Sequence, residues 1–290
     1  MASPDTLQRF LFEHAAVRGE LVHLDSTFRA VRDTHDYPPA VRALLGEALA
    51  AAALLSASIK GHDSLIVQVQ GDGPLHLVVA QCSSRRSLRG VARWSRPVAP
   101  GTLGELCGEG RIVITIDPGQ GRDRHQGLVA LEGASLGQAI EGYFAQSEQL
   151  PTRLRLACDG ACAAGLLVQS VPAQREDSED WARIGQLAAT VTAPELLTLP
   201  VRDLLRRLFR EDDLRLFEPE VTTFRCTCGR AAIEAVLRSL GRAEVEDALA
   251  SEGELAVTCE FCNRRYRFDR VDVETIFSAG GATPPSAGRH

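Results

Sequence analysis

Lysine is almost missing from this 290-residue chain: of 32 basic residues 31 are arginine, and Lys60 stands alone. No glycine-rich loop precedes Lys60, so the phosphate-binding lysine of a P-loop is absent and no nucleotide fuel is expected. Basic charge is not in excess either, with 38 acidic residues and a formal net charge of −6. That balance argues against a strongly basic binder of nucleic acid or of an anionic membrane. The start, MASPDTLQRFLFEH, lacks the basic region and apolar core of a signal peptide. The longest apolar run, residues 48–59, lies between Glu47 and Lys60 and reads as too short to span a bilayer. A cytoplasmic, reducing setting is expected, in which paired cysteines mean metal or redox chemistry rather than permanent staples. There is no internal repeat.

A catalytic histidine is also lacking where one would be needed. Gly133-Ala134-Ser135-Leu136-Gly137 matches the G-x-S-x-G nucleophile elbow, between a predicted strand and a predicted helix. In that arrangement the acid and then the histidine follow the serine, but the only later histidine is His290, in the tail. Ser135 with Gln138 makes a capping box for a helix reaching about Ser147, which explains the serine without catalysis. The chain is not expected to be an enzyme.

What the chain does have is cysteine in two tight pairs, Cys226 and Cys228 in FRCTCGR and Cys259 and Cys262 in TCEFCNRRYRF, with 30 residues between. Four such thiols can close around one ion, and an all-sulfur tetrahedral set most often holds zinc. The spacing differs from a plain zinc ribbon, because one pair is CxC and the gap reads as helix. Four thiolates around Zn²⁺ leave a formal charge of about −2, and Arg225, Arg230, Arg264, Arg265 and Arg267 lie close in sequence to offset it. Such thiolates are what oxidants attack, and each has a neighbour able to resolve a sulfenic acid to a disulfide. Oxidation can therefore join Cys226 to Cys228 and Cys259 to Cys262 and forfeit the metal. Cys82, Cys107, Cys158 and Cys162 read as small apolar residues, although Cys158 and Cys162 flank one turn and can be read as a redox pair.

The remaining pattern predicts an α+β fold. Strands fit residues 6–24, SLIVQVQ and LHLVVAQ around a Gly71-Asp72-Gly73-Pro74 turn, residues 87–94, 111–116 and 125–131, and then TRLRLAC and AGLLVQSV. An alanine- and leucine-rich helix over residues 40–59 reads as buried against a sheet. The organisation expected is a mostly antiparallel domain over 1–174, a helical linker over 175–216, a cysteine domain over 217–278 with two short helices between its cysteine pairs, and a disordered tail over 279–290. In the linker Val201, Leu204, Leu205 and Leu208 fall at i, i+3, i+4 and i+7 with Phe209 beside them. This stripe is expected to be covered by the cysteine domain and bared for clients when that domain unfolds. Between Arg225 and Arg270, 8 arginines meet 8 acidic residues, so a solvated face is expected there rather than a nucleic-acid patch.

Taken with VQVQGDGPLHLVVA, VITIDPGQGRDRHQGLVALEG, GYFAQSEQLPTRLRL, AGLLVQ and VTCEFCNRRYRFD, the cysteine pairs make the chain resemble the bacterial 33 kDa chaperonin family over residues 7–277. That family consists of redox-regulated, ATP-independent heat-shock holdases. The resemblance implies a reduced resting state in the cytoplasm with one zinc ion on Cys226, Cys228, Cys259 and Cys262. It further implies that oxidative stress forms the Cys226–Cys228 and Cys259–Cys262 disulfides, releases zinc and unfolds the C-terminal part. The activated chain would dimerise and hold unfolding proteins. A constitutive zinc module that binds nucleic acid is the rival, for which oxidant would be without effect.

Overall fold

Alternating apolar residues set the first two strands, β1 (Thr6–Phe12) and β2 (Val17–Leu24), which pair antiparallel. Successive side chains point to opposite faces, and both faces here are buried: Leu7, Val22 and Leu24 enter one core, Phe10, Phe12, Val17 and Leu21 another. Gly19 lies opposite Phe10, and a Cβ there would stand 2.1 Å from the Phe10 ring. The next element is α1 (Ser26–Arg32), whose own N-cap residue, Asp25, makes no side-chain cap hydrogen bond. Its cap comes instead from Asp5, whose carboxylate accepts the backbone N–H groups of Asp25, Ser26 and Thr27 at 2.8–3.0 Å.

The long helix α2 (Pro39–Ser58) is buried on nearly every side. It is followed by β3 (Ser64–Gly71), β4 (Leu75–Ser83), β5 (Ser87–Trp94), α3 (Leu103–Cys107), β6 (Gly110–Asp117), β7 (His125–Ala130), α4 (Leu136–Gln146), β8 (Thr152–Cys158) and β9 (Ala163–Ser170). Then come α5 (Ser178–Ala189), α6 (Ala193–Thr198), α7 (Val201–Leu208) and the short strands β10 (Leu214–Leu216), β11 (Glu220–Val221) and β12 (Thr223–Phe224). The first sheet runs β10-β1-β2-β9-β8 with β11 also on β1, and the second runs β12-β5-β4-β3-β6-β7. All pairings are antiparallel except β12 with β5.

Residues 5–95, 97–119, 121–171 and 178–278 are described in this computed structural model, and the chain divides into two units, Met1–Arg225 and Cys226–His290. In the first, α2 lies between the two sheets, with Leu45 and Leu49 over Gly90 of β5 and Leu54 over Gly165 of β9. Extended back to Pro39 through Arg42 and Glu47, α2 is long and apolar enough to cross a bilayer, which corrects the estimate from run length. It is a core helix.

The α7 stripe requires a correction. Leu204, Leu205, Leu208 and Phe209 are buried and Val201 partly so, but their cover is the far face of the first sheet. Phe209 packs edge-on against Phe12 at 5.0 Å between ring centres, and Leu21, Leu166 and Val168 complete the contact with Ile184 and Leu196 of α5 and α6. The cysteine-domain boundary at 217 also falls inside the first unit, because β11 pairs with β1 and β12 with β5. The 174/175 boundary and the tail over 279–290 lie outside the described residues.

One buried charged cluster ties these elements together. The Arg86 guanidinium donates to Glu220 at 2.7 Å and to Ser56 at 3.0 Å, holding β11 against the end of α2. Glu20 of β2 is 3% exposed. Burial pushes its carboxyl up to about 7 from an ordinary 4.5, against the pull of Arg18, a hydrogen bond with Ser58, and Arg9 and Arg86. A raised acid binds its proton more tightly in the folded chain, so its contribution is whole below pH 4.5 and is lost as pH rises through about 7. The difference amounts to about 3 kcal/mol. Glu20→Gln, which does not titrate there, should flatten the fall in stability between pH 4.5 and about 7, as urea unfolding at a series of pH values would show.

Candidate metal centre

The second unit is small: α8 (Arg230–Leu240), α9 (Arg242–Glu252), a hairpin of β13 (Leu255–Thr258) and β14 (Arg265–Phe268), and α10 (Arg270–Ser278). Its buried apolar core comprises Leu237, Val245, Leu249, Phe268, Val273 and Ile276. Cys226 and Cys228 lead into α8, whose N-cap is Gly229, and Cys259 and Cys262 occupy the β13–β14 turn. That turn is fixed by the Cys259 N–H donating to the Arg264 carbonyl at 2.9 Å and the Asn263 N–H to the Cys259 carbonyl at 2.8 Å. Asn263 has φ of 56°, a left-handed conformation that asparagine tolerates better than most residues.

The fold brings all four sulfurs together, within 4.8 Å of one another. Cys226 Sγ lies 3.7 Å from Cys259 Sγ and Cys228 Sγ 3.3 Å from Cys262 Sγ. Sulfurs at about 2.3 Å from a central ion in a tetrahedron stand about 3.8 Å apart, so the spacing fits one zinc. It is far longer than a disulfide, and all eight cysteines are free thiols.

The electrostatics also call for a cation. Burial opposes ionisation at every one of these sulfurs whose value is displaced. At Cys228 it is outweighed by hydrogen bonds, first from Tyr266 and then from the other thiols, which hold it at about 7. The Tyr266 hydroxyl donates to Cys228 Sγ at 3.2 Å. Cys262, buried and beside that thiolate, is pushed up to about 12, and Cys226 is raised too. Cys228 ionises readily while Cys226 and Cys262 resist, so four thiolates coexist here only around a positive ion.

Of the five arginines near in sequence, Arg264 faces the site, interacting with Tyr266 and with the Cys228 and Cys262 sulfurs. Arg230 is taken up by Asp272, Glu234 and the Phe268 ring, and Arg267 by Glu254. Tyr266 is the functional residue that sequence reasoning missed; its place two residues past Arg264 on an alternating strand was the available signal.

The remaining candidates are structural. Burial pushes the Cys82 and Cys107 thiols up to about 11, and likewise Cys158 to about 12 and Cys162 to about 11. Cys158 fills the space beside Gly46, where a Cβ would meet its sulfur at 2.5 Å. Ser135 caps α4, accepting the Gln138 N–H at 3.3 Å while the Gln138 side chain accepts the Ala134 N–H at 2.9 Å.

Comparison with known proteins points the same way. The family model described as "Hsp33 protein" matches residues 5–269. The chain is 51% identical over 290 residues to the 33 kDa chaperonin of Nitrosococcus oceani, with all of both chains covered. It is 44% identical over 280 residues to that of a Shewanella species, strain MR-4, covering 96% of this chain and 98% of the relative. The crystal structure of a 33 kDa chaperonin (heat shock protein 33 homolog) from Thermotoga maritima shares the fold, with a TM-score of 0.82 at 24% identity over 95% of this chain and 98% of that one.

Tyr266→Phe should weaken zinc binding about tenfold by removing the outer hydrogen bond to Cys228. Cys228→Ser should weaken it far more and lower the helicity of the second unit. Chelator competition and circular dichroism check both.

Proposed function

Because the chain belongs to the Hsp33 family of chaperones, we propose that it is a cytoplasmic, ATP-independent holdase kept inactive by one zinc ion on Cys226, Cys228, Cys259 and Cys262. The observation that carries this reading is the cluster of four sulfurs at tetrahedral spacing in a unit with only six fully buried apolar residues. Bound zinc supplies charge neutralisation and a cross-link, and structural zinc is worth on the order of 10 kcal/mol, more than so small a core is expected to provide.

Each disulfide formed by peroxide takes two thiols and one H₂O₂ to one S–S bond and two waters. Two sulfur contacts cross between the pairs, Cys226 to Cys259 at 3.7 Å and Cys228 to Cys262 at 3.3 Å. Cross-linking that way would staple the unit closed over a loop of more than thirty residues and work against a switch. Pairing within Cys226–Cys228 and Cys259–Cys262 leaves tiny loops that restrain the opened chain weakly, and these are the pairs proposed.

Unfolding of the second unit is read as loosening what precedes it, since β12 ends at Phe224, two residues before Cys226. The proposed client surface is the apolar layer now closed between the first sheet and α5–α7: Val201, Leu204, Leu205, Leu208 and Phe209 on one side, Phe10, Phe12 and Leu21 on the other. Unfolding proteins are the partners, and activated chains pair as homodimers; nucleotide, nucleic acid and membrane play no part in this reading.

The reduced protein should hold one zinc per chain and leave a heat-unfolded client to aggregate. Peroxide with warming should release the zinc and suppress aggregation, with both disulfides mapping within the pairs. Equal holdase activity in the two states, or cross-paired disulfides in the active form, would overturn the mechanism.

A further inference from the structure

The edge of the first sheet beside α7 has the makings of a strand-binding groove. β10 is the outermost strand, and Leu214, Arg215 and Leu216 face Phe12, Leu11 and Phe10 of β1. The Glu13 N–H donates to the Asp213 carbonyl and the Phe217 N–H to the Arg9 carbonyl, each at 3.0 Å. Backbone groups alternate in direction along a strand, so Leu214 and Leu216 turn their N–H and C=O away from β1. Those outward groups meet no partner among the described residues.

Beside this edge runs a groove of about 340 Å³ lined by Leu205, Phe209, Leu214, Leu216 and one acid, Asp212, and rimmed by Arg202, Arg206 and Arg210. All three arginines are exposed, Arg202 and Arg206 one helical turn apart on α7 and Arg210 in the turn that follows it. The acidic groups nearby are largely engaged: Arg183 grips Asp212 at 2.6 and 2.9 Å, and Glu13 holds Arg215. Arg210 leans on Glu211 at the surface, whereas Arg202 and Arg206 have no acidic partner among the described residues. A chain of net charge −6 therefore presents a local cationic rim over an apolar floor, next to an unpaired strand edge.

We infer that this groove takes an extended peptide segment in which acidic and apolar residues alternate, added as a further strand on β10. Alternate residues of an added strand lie about 6.6 Å apart and successive turns of α7 place arginines about 6 Å apart, so the two repeats match. Leu214 and Leu216 share the sheet face of Phe10 and Phe12, which is the α7 face. Carboxylates on that face meet the arginines with their stems on Leu205 and Phe209, while the intervening apolar residues lie on the side of Arg215 and the exposed Phe217. The groove is open while the apolar layer beneath α7 is closed, so it offers a first point of contact before activation. The inference rests on the holdase reading only for the source of such segments, namely unfolding clients.

The test uses the reduced full-length chain and two fluorescein-labelled octapeptides, one alternating glutamate with valine and one alternating lysine with valine, followed by anisotropy. The glutamate peptide should bind at least about tenfold tighter, although the protein's net charge favours the lysine peptide, and its binding should weaken with salt. Arg202→Glu with Arg206→Glu should abolish that preference. Leu216→Pro deletes an outward N–H at an edge position where proline is tolerated and should abolish binding. N-methylation of alternate peptide amides should do the same without altering the protein. Equal binding of the two peptides, or binding indifferent to N-methylation, would overturn the inference. So would concentration-dependent self-association that the peptide displaces, which would make a second copy the occupant. Neither oxidant nor client is present, so failure here leaves the aggregation assay to judge the holdase reading separately.

Discussion

Four sulfurs held within 4.8 Å of one another cannot all carry charge unless a cation lies among them, and the second unit is organised around that constraint. Its helices and hairpin supply a core of six buried apolar residues, and the two cysteine pairs lie 30 residues apart in its sequence. Whatever joins them closes the unit. On the proposed reading a metal ion would join them reversibly, and the thiolates that would hold it are the groups that oxidants consume. Stability and sensitivity would then share one set of atoms.

The first unit is built on the opposite principle. Here α2 lies between two six-stranded sheets, and Gly90 and Gly165 leave room for its Leu45, Leu49 and Leu54 side chains. No single charge or bond decides whether this core forms. Its outer layer is separate from that core, because α5–α7 pack on the far face of the first sheet. The segment that follows α7 is stitched to the edges of both sheets by three short strands and the Arg86–Glu220 ion pair before it reaches Cys226.

Strand positions were legible in the sequence wherever one residue in two was apolar: residues 87–94 were read to the residue as β5. The cysteine site was legible because thiols in tight pairs have few other uses in a chain of this kind. What could not be read depends on partners remote in sequence. The cap on α1 comes from Asp5, twenty residues upstream of Asp25. Strands β10–β12 carry too few residues to show alternation and exist because β1 and β5 offer open edges. An amphipathic stripe such as that of α7 announces that it will be covered but not by what, and the assignment of its cover to the cysteine domain failed for that reason. Glu20 gave no sign at all, since nothing in VRGELVHL says that both faces of the strand are buried.

The distribution of thiol acidity shows why eight cysteines need not mean eight sensors. Burial pushes Cys82, Cys107 and Cys162 up to about 11 and Cys158 to about 12. Burial also weighs on Cys228, but hydrogen bonds from Tyr266 and the neighbouring thiols hold it at about 7. Near neutral pH a thiol at 7 is about half thiolate, whereas one at 11 is so about once in 10⁴. Since the thiolate is the nucleophile, thiolate fraction alone favours Cys228 of the metal-free second unit over the thiols at 11 by about three to four orders of magnitude. Lower intrinsic nucleophilicity of the more acidic thiol recovers only part of that gap. The four other cysteines can therefore sit in the first unit as packing, and Cys158 fills the hollow over Gly46 without diverting the chemistry.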